Sequence, residues 1–205
     1  MIRVLCTDIA AIEKRLYTRL YAAALEERKR RADRCVRLQD AYRCLAAGAL
    51  LSFALGSTDY VVERASMGKP YIKNKEAFHY SISHSGTWVV IAYGDTEVGV
   101  DVEIRSWDLA AQNVVRRWFT QEEQDYVFAS DEDAQMRFLR VWTAKESYLK
   151  YLGTGLCRPL NSFNIFSLEE DIRLNSWNLR DGAYITLCST QEECTIEMID
   201  AHCLA

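Results

Sequence analysis

Val98-Gly99-Val100-Asp101-Val102-Glu103 alternates apolar residues with small or acidic ones at a period of two. That pattern fits a half-buried strand, with its valines turned inward and both carboxylates on the opposite face. Residues two apart on one face sit roughly 7 Å from each other, at about 3.4 Å rise per residue. Two acids so placed either grip one hard cation from the same side or simply face water. Farther along, Lys145-Glu146-Ser147-Tyr148-Leu149-Lys150 reads as helix, with Glu146 and Lys150 stacked one turn apart. It adds a third acid, and a cation for something anionic. Together the two stretches suggest magnesium-dependent phosphate chemistry.

Composition narrows the class without deciding it. A chain of 205 residues accommodates one domain or two small ones. With 49% hydrophobic and 26% charged residues it has the balance of a soluble globular protein. The longest apolar stretch, Cys44 to Leu55, is interrupted by Gly48 and Ser52 and is too short to span a bilayer. The N-terminus has an early Asp8 and no apolar run ending in a cleavage site, so no signal peptide is expected. A net charge of −4 argues against nucleic acid as a partner. Seven cysteines with no Cys-x-x-Cys pair read as buried free thiols, not as a disulfide framework or zinc ligands. A reduced, cytoplasmic setting is the resulting expectation.

Residues 2–9 form a weakly alternating opening strand, and the spacing of Ile12, Leu16, Tyr17, Leu20 and Ala24 predicts a helix from Ile12 to about Arg31. Six basic residues fall within the ten from Arg28 to Arg37. That block is either a solvated helix end whose cations complement the dipole, or a landing pad for a phosphorylated ligand. Asp40 reads as the N-cap of a buried helix in which Arg43 lies early, where a cation gains nothing from the dipole. Gly68-Lys69-Pro70 is a turn. Strands are expected at Phe78–Ile82, Thr87–Tyr93 and Val98–Glu103, the last two joined by the hairpin Gly94-Asp95-Thr96. Ser83-His84-Ser85-Gly86 at a strand end suits phosphate, and no nucleophile elbow accompanies its serines.

Helices follow from Asp108 to about Phe128, with a break capped by Thr120, and from about Ala134 to Leu152, where Gly153 stops the chain. Lys145 falls on the apolar face of that last helix, where an unpaired charge is costly. It is therefore grouped with Lys150 as a cation for the ligand. Short strands at Ser162–Phe166, Ser176–Leu179, Tyr184–Cys188 and Thr195–Ile199 are expected to make an antiparallel sheet.

With these residues in place, the chain resembles the 4′-phosphopantetheinyl transferases, in particular their larger, surfactin-synthetase-activator type. The likeness rests on five motifs in order: Gly68-Lys69-Pro70, Ser81-Ile82-Ser83-His84-Ser85-Gly86, Val98–Glu103, Trp142–Lys150 and Gly153-x-Gly155-Leu156-x-x-Pro159-Leu160. It covers roughly residues 28–166. The resemblance implies an α+β fold of two similar halves, residues 1–103 and 104–205, each a small antiparallel sheet packed on helices and related by pseudo-twofold symmetry. Coenzyme A would lie between them. The reaction would move its 4′-phosphopantetheine arm to a serine of an apo acyl or peptidyl carrier protein, releasing 3′,5′-ADP. A smaller family branch is trimeric, so this chain looks like the monomeric one.

Carried over by position, the resemblance makes Asp101, Glu103 and Glu146 the ligands of Mg²⁺, with Glu146 the base directly or through water. Few carboxylates plus phosphate and water oxygens suit that ion. Lys150 would neutralise charge on the phosphate under attack. Ser83 and His84 match the phosphate loop, Lys69 and Arg43 match nucleotide contacts, and Arg28 and Arg31 stand where the family often has lysines on the 3′-phosphate. The alternatives are a non-catalytic coenzyme A- or carrier-binding protein and a two-carboxylate phosphoesterase. The carrier itself, whether a fatty-acid, polyketide, nonribosomal-peptide or amino-acid reductase carrier, is left open.

Overall fold

The weakly patterned N-terminus turns out to be a central strand. Ile2–Asp8 forms β1, with Ile2, Val4, Leu5 and Cys6 fully buried, in a computed structural model that describes residues 1–204; Ala205, the end of the expected second half, lies outside the described residues. The single helix expected from Ile12 to Arg31 is two: α1 (Lys14–Ala23) and α2 (Glu26–Asp33), separated by extended backbone at Ala24 and Leu25. After the break, Arg28 and Ala32 are the buried residues of α2.

In α3 (Leu38–Leu55), Asp40 is not the N-cap. Arg37 holds that position, and Asp40 accepts from Arg43 Nη1 one turn on at 2.7 Å. A charge-assisted bond inside the first turn, where an acid also complements the dipole, outweighs the cap. A short antiparallel pair, β2 (Val62–Arg64) and β3 (Pro70–Ile72), precedes three longer strands. These are β4 (His79–Ser85), β5 (Trp88–Gly94) and β6 (Val98–Glu103). Then come α4 (Leu109–Trp118), α5 (Gln121–Val127), which opens with a Thr120/Glu123 capping box, and α6 (Ala134–Leu152). The strand expected at Ser162–Phe166 is absent. Leu160–Ser162 is a 3₁₀ turn, and the carbonyls of Leu160 and Phe163 are taken by Lys145 Nζ instead of a neighbouring strand. The chain closes with β7 (Arg173–Asn178), β8 (Tyr184–Ser189) and β9 (Cys194–Met198).

Two main sheets result, in the orders β4-β5-β1-β9 and β6-β8-β7. The last strand does not join β7 and β8 as expected. It runs parallel to β1, placing Ile196 opposite Val4, while the other pairings are antiparallel. Alternation decides which face of a strand is buried, not which edge it joins. Strand β6 likewise belongs to the second sheet, so the two sheets interleave along the chain.

The layers run helix, sheet, sheet, helix. Helices α1–α3 cover Leu5, Val89 and Ile91 of the first sheet, and the opposite residues Val4, Trp88 and Val90 meet Val98, Val100, Val102, Ile185 and Leu187 of the second. The far side of the second sheet packs on α4–α6 through Phe138, Val141, Leu149 and Cys188. The inward valines of β6 therefore face the inter-sheet core, which leaves Gly99 and Asp101 toward α6. All seven cysteines are free, but only Cys6 and Cys188 are buried, and Cys157 and Cys203 are exposed. No helix among the described residues is long and apolar enough to cross a membrane.

Candidate active site

Helix α6 crosses β6 in backbone contact at Gly99. A Cβ there would overlap the Ser147 carbonyl oxygen and the Tyr151 amide nitrogen, so glycine is what permits the approach. The contact brings Lys150 over the strand. Its Nζ donates to Asp101 Oδ1 at 2.7 Å, to Ser83 Oγ at 2.8 Å and to the Val100 carbonyl at 3.1 Å.

The serines of β4 have the same period of two as the acids of β6, and they stitch the two sheets together. Ser81 Oγ accepts from Val100 N at 3.1 Å, Ser83 Oγ donates to Asp101 at 2.7 Å, and Ser85 Oγ donates to Glu103 at 2.5 Å. Glu103 also accepts from the Ile104 amide and lies 3.9 Å from Arg105. Glu146 differs: among the described residues nothing hydrogen-bonds or ion-pairs with its carboxylate. Burial, then the Asp101 charge, pushes its pKa above the usual glutamate value. Asp101 is raised as well, by burial that Lys150 only partly offsets. Asp101, Glu103 and Glu146 thus act on one another, with Lys150 beside Asp101, and all three are hard oxygen donors suited to a divalent ion. They are not preassembled, since no group of three His, Cys, Asp or Glu among the described residues has metal-holding geometry.

Beside Ser83 and Lys150 opens a cleft of about 630 Å³. The structure gathers Arg28, Arg31, Arg43, Lys69, Ser83, His84 and Lys150 along its walls. All five of those cations have partners within the protein: Arg28 and Arg31 lie 3.7 and 3.5 Å from Glu27, and Lys150 is held by Asp101. Arg43 gives Nε and Nη2 to the Gly86 carbonyl at 2.8 and 2.6 Å, stapling α3 to the turn after His84. Lys69 gives its ammonium to Glu97 and to the Tyr151 carbonyl, the latter at 2.8 Å, tying the β2–β3 pair to the end of α6. His84 presents an exposed edge to the cleft, but surrounding protein, then Arg43, holds its pKa below the usual imidazole value.

Lys145 does not reach the cleft. It is fully buried on the other side of α6, paired with Glu123 at 2.8 Å. Its place on the apolar face was visible in the sequence; its partner, on α5, was not. Residues given no role from sequence also belong to the site. Ser81 could have been found from its shared period with the acids, whereas Tyr80 and Arg64 on the cleft wall carry no such signal.

At the meeting of the two sheets, a lysine bonded to Asp101 beside a cleft lined by cations offers positive charge that suits an anionic ligand. The family model described as the 4′-phosphopantetheinyl transferase superfamily matches residues 97–198, the span holding Asp101, Glu103, Glu146 and Lys150. The chain is 31% identical over 195 residues to a 4′-phosphopantetheinyl transferase of Bacillus subtilis, covering 90% of this chain and 85% of that one. It is 35% identical over 153 residues to the 4′-phosphopantetheinyl transferase psf-1 of Bacillus pumilus (71% and 64%). With the 4′-phosphopantetheinyl transferase Sfp of Bacillus subtilis strain 168 it shares 31% identity over 146 residues (68% and 64%). The chain belongs to the 4′-phosphopantetheinyl transferase superfamily, and it is an enzyme of that class.

Proposed function

We propose that this enzyme transfers the 4′-phosphopantetheine arm of coenzyme A to a serine hydroxyl of an apo acyl or peptidyl carrier protein and releases 3′,5′-ADP. The observation that carries the reading is the position of Lys150, bonded to Asp101 and Ser83 at the junction of the cationic cleft and the carboxylates. Coenzyme A occupies the cleft with its pyrophosphate at Lys150. The carrier serine oxygen forms a bond to the phosphorus that bears the pantetheine arm, and the pyrophosphate P–O bond breaks with its electrons going to 3′,5′-ADP. Glu146, whose carboxylate has no partner among the described residues, takes the serine proton directly or through one water. Lys150 moves its charge from Asp101 toward the phosphate oxygens as negative charge grows there.

Asp101, Glu103 and Glu146 are the residues that would hold Mg²⁺, which when bound supplies positive charge to the pyrophosphate and polarises the phosphorus. Intact-protein mass spectrometry of an apo carrier domain, incubated with the enzyme, magnesium and coenzyme A, tests the reading. The expected result is a gain of one phosphopantetheine arm that EDTA abolishes. Unchanged mass on fatty-acid, polyketide and nonribosomal-peptide carriers alike, with coenzyme A still bound, would leave a binding protein.

A further inference from the structure

Ser85 ends β4, and its sequence neighbours Ser83 and His84 line the cleft. The Ser85 hydroxyl goes to Glu103 instead. It donates to Glu103 Oε1 at 2.5 Å and accepts from the Ile104 amide at 3.2 Å. The same N–H is shared with Glu103 Oε1 at 2.9 Å, so hydroxyl, amide and carboxylate close a ring of three bonds. A carboxylate oxygen has two lone pairs, and both of those on Oε1 are taken. Oε2 differs: its partner is Arg105, 3.9 Å away and 41% exposed, whose guanidinium lies 5.5 Å from the centre of the Trp142 ring.

The corner that carries Ser85 is fixed from two sides. Gly86 has φ +56°, and a Cβ there would come within 2.7 Å of Ile104 Cγ2, so glycine lets the turn close on the residue whose amide completes the ring. From the other side, Arg43 on α3 holds the Gly86 carbonyl through Nε and Nη2. Helix α3 thus fixes the turn, the turn fixes Ser85, and Ser85 fixes one oxygen of Glu103.

Given the transferase reading above, on which this inference rests, Glu103 is one of the three acids that would hold the divalent ion. A carboxylate ligand depends on the groups bonded to it from behind, which set its orientation before the ion arrives. We propose that Ser85 is a positioning residue: by occupying Oε1 it holds the Glu103 carboxylate in one orientation and leaves Oε2 for the ion. Without the hydroxyl, the carboxylate is free to turn and to pair with Arg105. Ser85 then differs in role from Ser83, whose hydroxyl meets Lys150 and Asp101 at the cleft.

The test uses Ser85→Ala and Glu103→Ala, singly and together, in the full chain with Mn²⁺ as the probe. Mn²⁺ binding is read from the paramagnetic resonance signal of the free ion with coenzyme A saturating. Coenzyme A binding is read by calorimetry in EDTA. Ser85→Ala should weaken Mn²⁺ binding about tenfold or more, with coenzyme A affinity in EDTA unchanged. In the Glu103→Ala background the same substitution should weaken Mn²⁺ no further, because Ser85 acts through Glu103. Mn²⁺ affinity within about twofold of wild type in Ser85→Ala, or an equal loss in both backgrounds, would overturn the role of Ser85. So would weaker coenzyme A binding in EDTA, which would put Ser85 on the nucleotide itself. Wild-type protein that binds neither coenzyme A nor, in its presence, Mn²⁺ would overturn the transferase reading, and this inference with it.

Discussion

Lys145 Nζ lies 2.8 Å from Glu123 Oε1, and neither side chain has any exposed surface. The pair is closed on every side. Lys145 also donates to the Leu160 and Phe163 carbonyls at 2.7 and 2.8 Å, and Glu123 accepts from the Thr120 and Ile165 amides at 2.8 and 2.9 Å. It binds α5, α6 and the 160–165 segment into one unit, one residue away from Glu146. Removing one member of such a pair strands the other charge in the interior, at a cost of about 3–5 kcal/mol.

Lys145→Met is accordingly expected to lose about 3–5 kcal/mol of unfolding free energy in urea. Lys145→Met/Glu123→Leu should recover part of that loss, since no charge is left unpaired. Coenzyme A affinity of the folded fraction should hardly change, because neither residue borders the cleft. A large, selective loss of coenzyme A binding with normal stability would return Lys145 to the ligand site.

Glu146→Gln and Asp101→Asn keep shape and remove one acid each from the crowded trio. Both raised pKa values show negative charge held at a cost in the resting protein, and both variants relieve it. Each should therefore fold as stably as the wild type while losing carrier modification by about 10²-fold or more. Turnover by mass spectrometry and Tm by calorimetry separate the two effects. Activity within a few-fold of wild type in both variants would remove the metal-ligand assignment.

Lys150→Ala addresses a different link. In the resting structure its ammonium neutralises Asp101 and touches Ser83; in the reaction its charge is proposed to matter most as the pyrophosphate bond opens. The expected result is a fall in kcat with a smaller change in KM for coenzyme A. A raised KM with kcat intact would make Lys150 a uniform binder of the ground state.

The parts of this site legible in the sequence are those whose signal is local. The period of two in Val98–Glu103 gave the strand, its buried valines and the common face of Asp101 and Gly99, and helical spacing put Glu146 and Lys150 one turn apart. What required the fold were partners distant in the chain. A lysine on an apolar face looks the same whether it meets a ligand or Glu123. The commitment of Arg43 to the Gly86 carbonyl, and of Lys69 to Glu97 and Tyr151, depends on how two sheets are laid together. Strand β9 reads like β8 in sequence, because a half-buried edge strand carries no mark of the neighbour it will choose.

His84 supplies a pH dependence whose sign can be worked out. Its pKa in the folded free protein lies below the ordinary value near 6.5, owing first to burial and then to Arg43. The neutral form thus favours the folded state: this contribution is fully present above the unfolded pKa and is lost as pH falls through the lowered folded one. A phosphate bound beside the ring favours the imidazolium and moves the pKa back up. Binding near neutral pH then takes up a proton, and affinity declines as pH rises through the interval between the free and bound values. Titrating coenzyme A between about pH 5 and 8, in buffers of differing ionisation enthalpy, reads both the decline and the proton uptake. His84→Gln should flatten the His84 part of the profile, leaving only the titration of the ligand phosphate itself. Wild-type and variant profiles that superimpose would place His84 away from the bound anion.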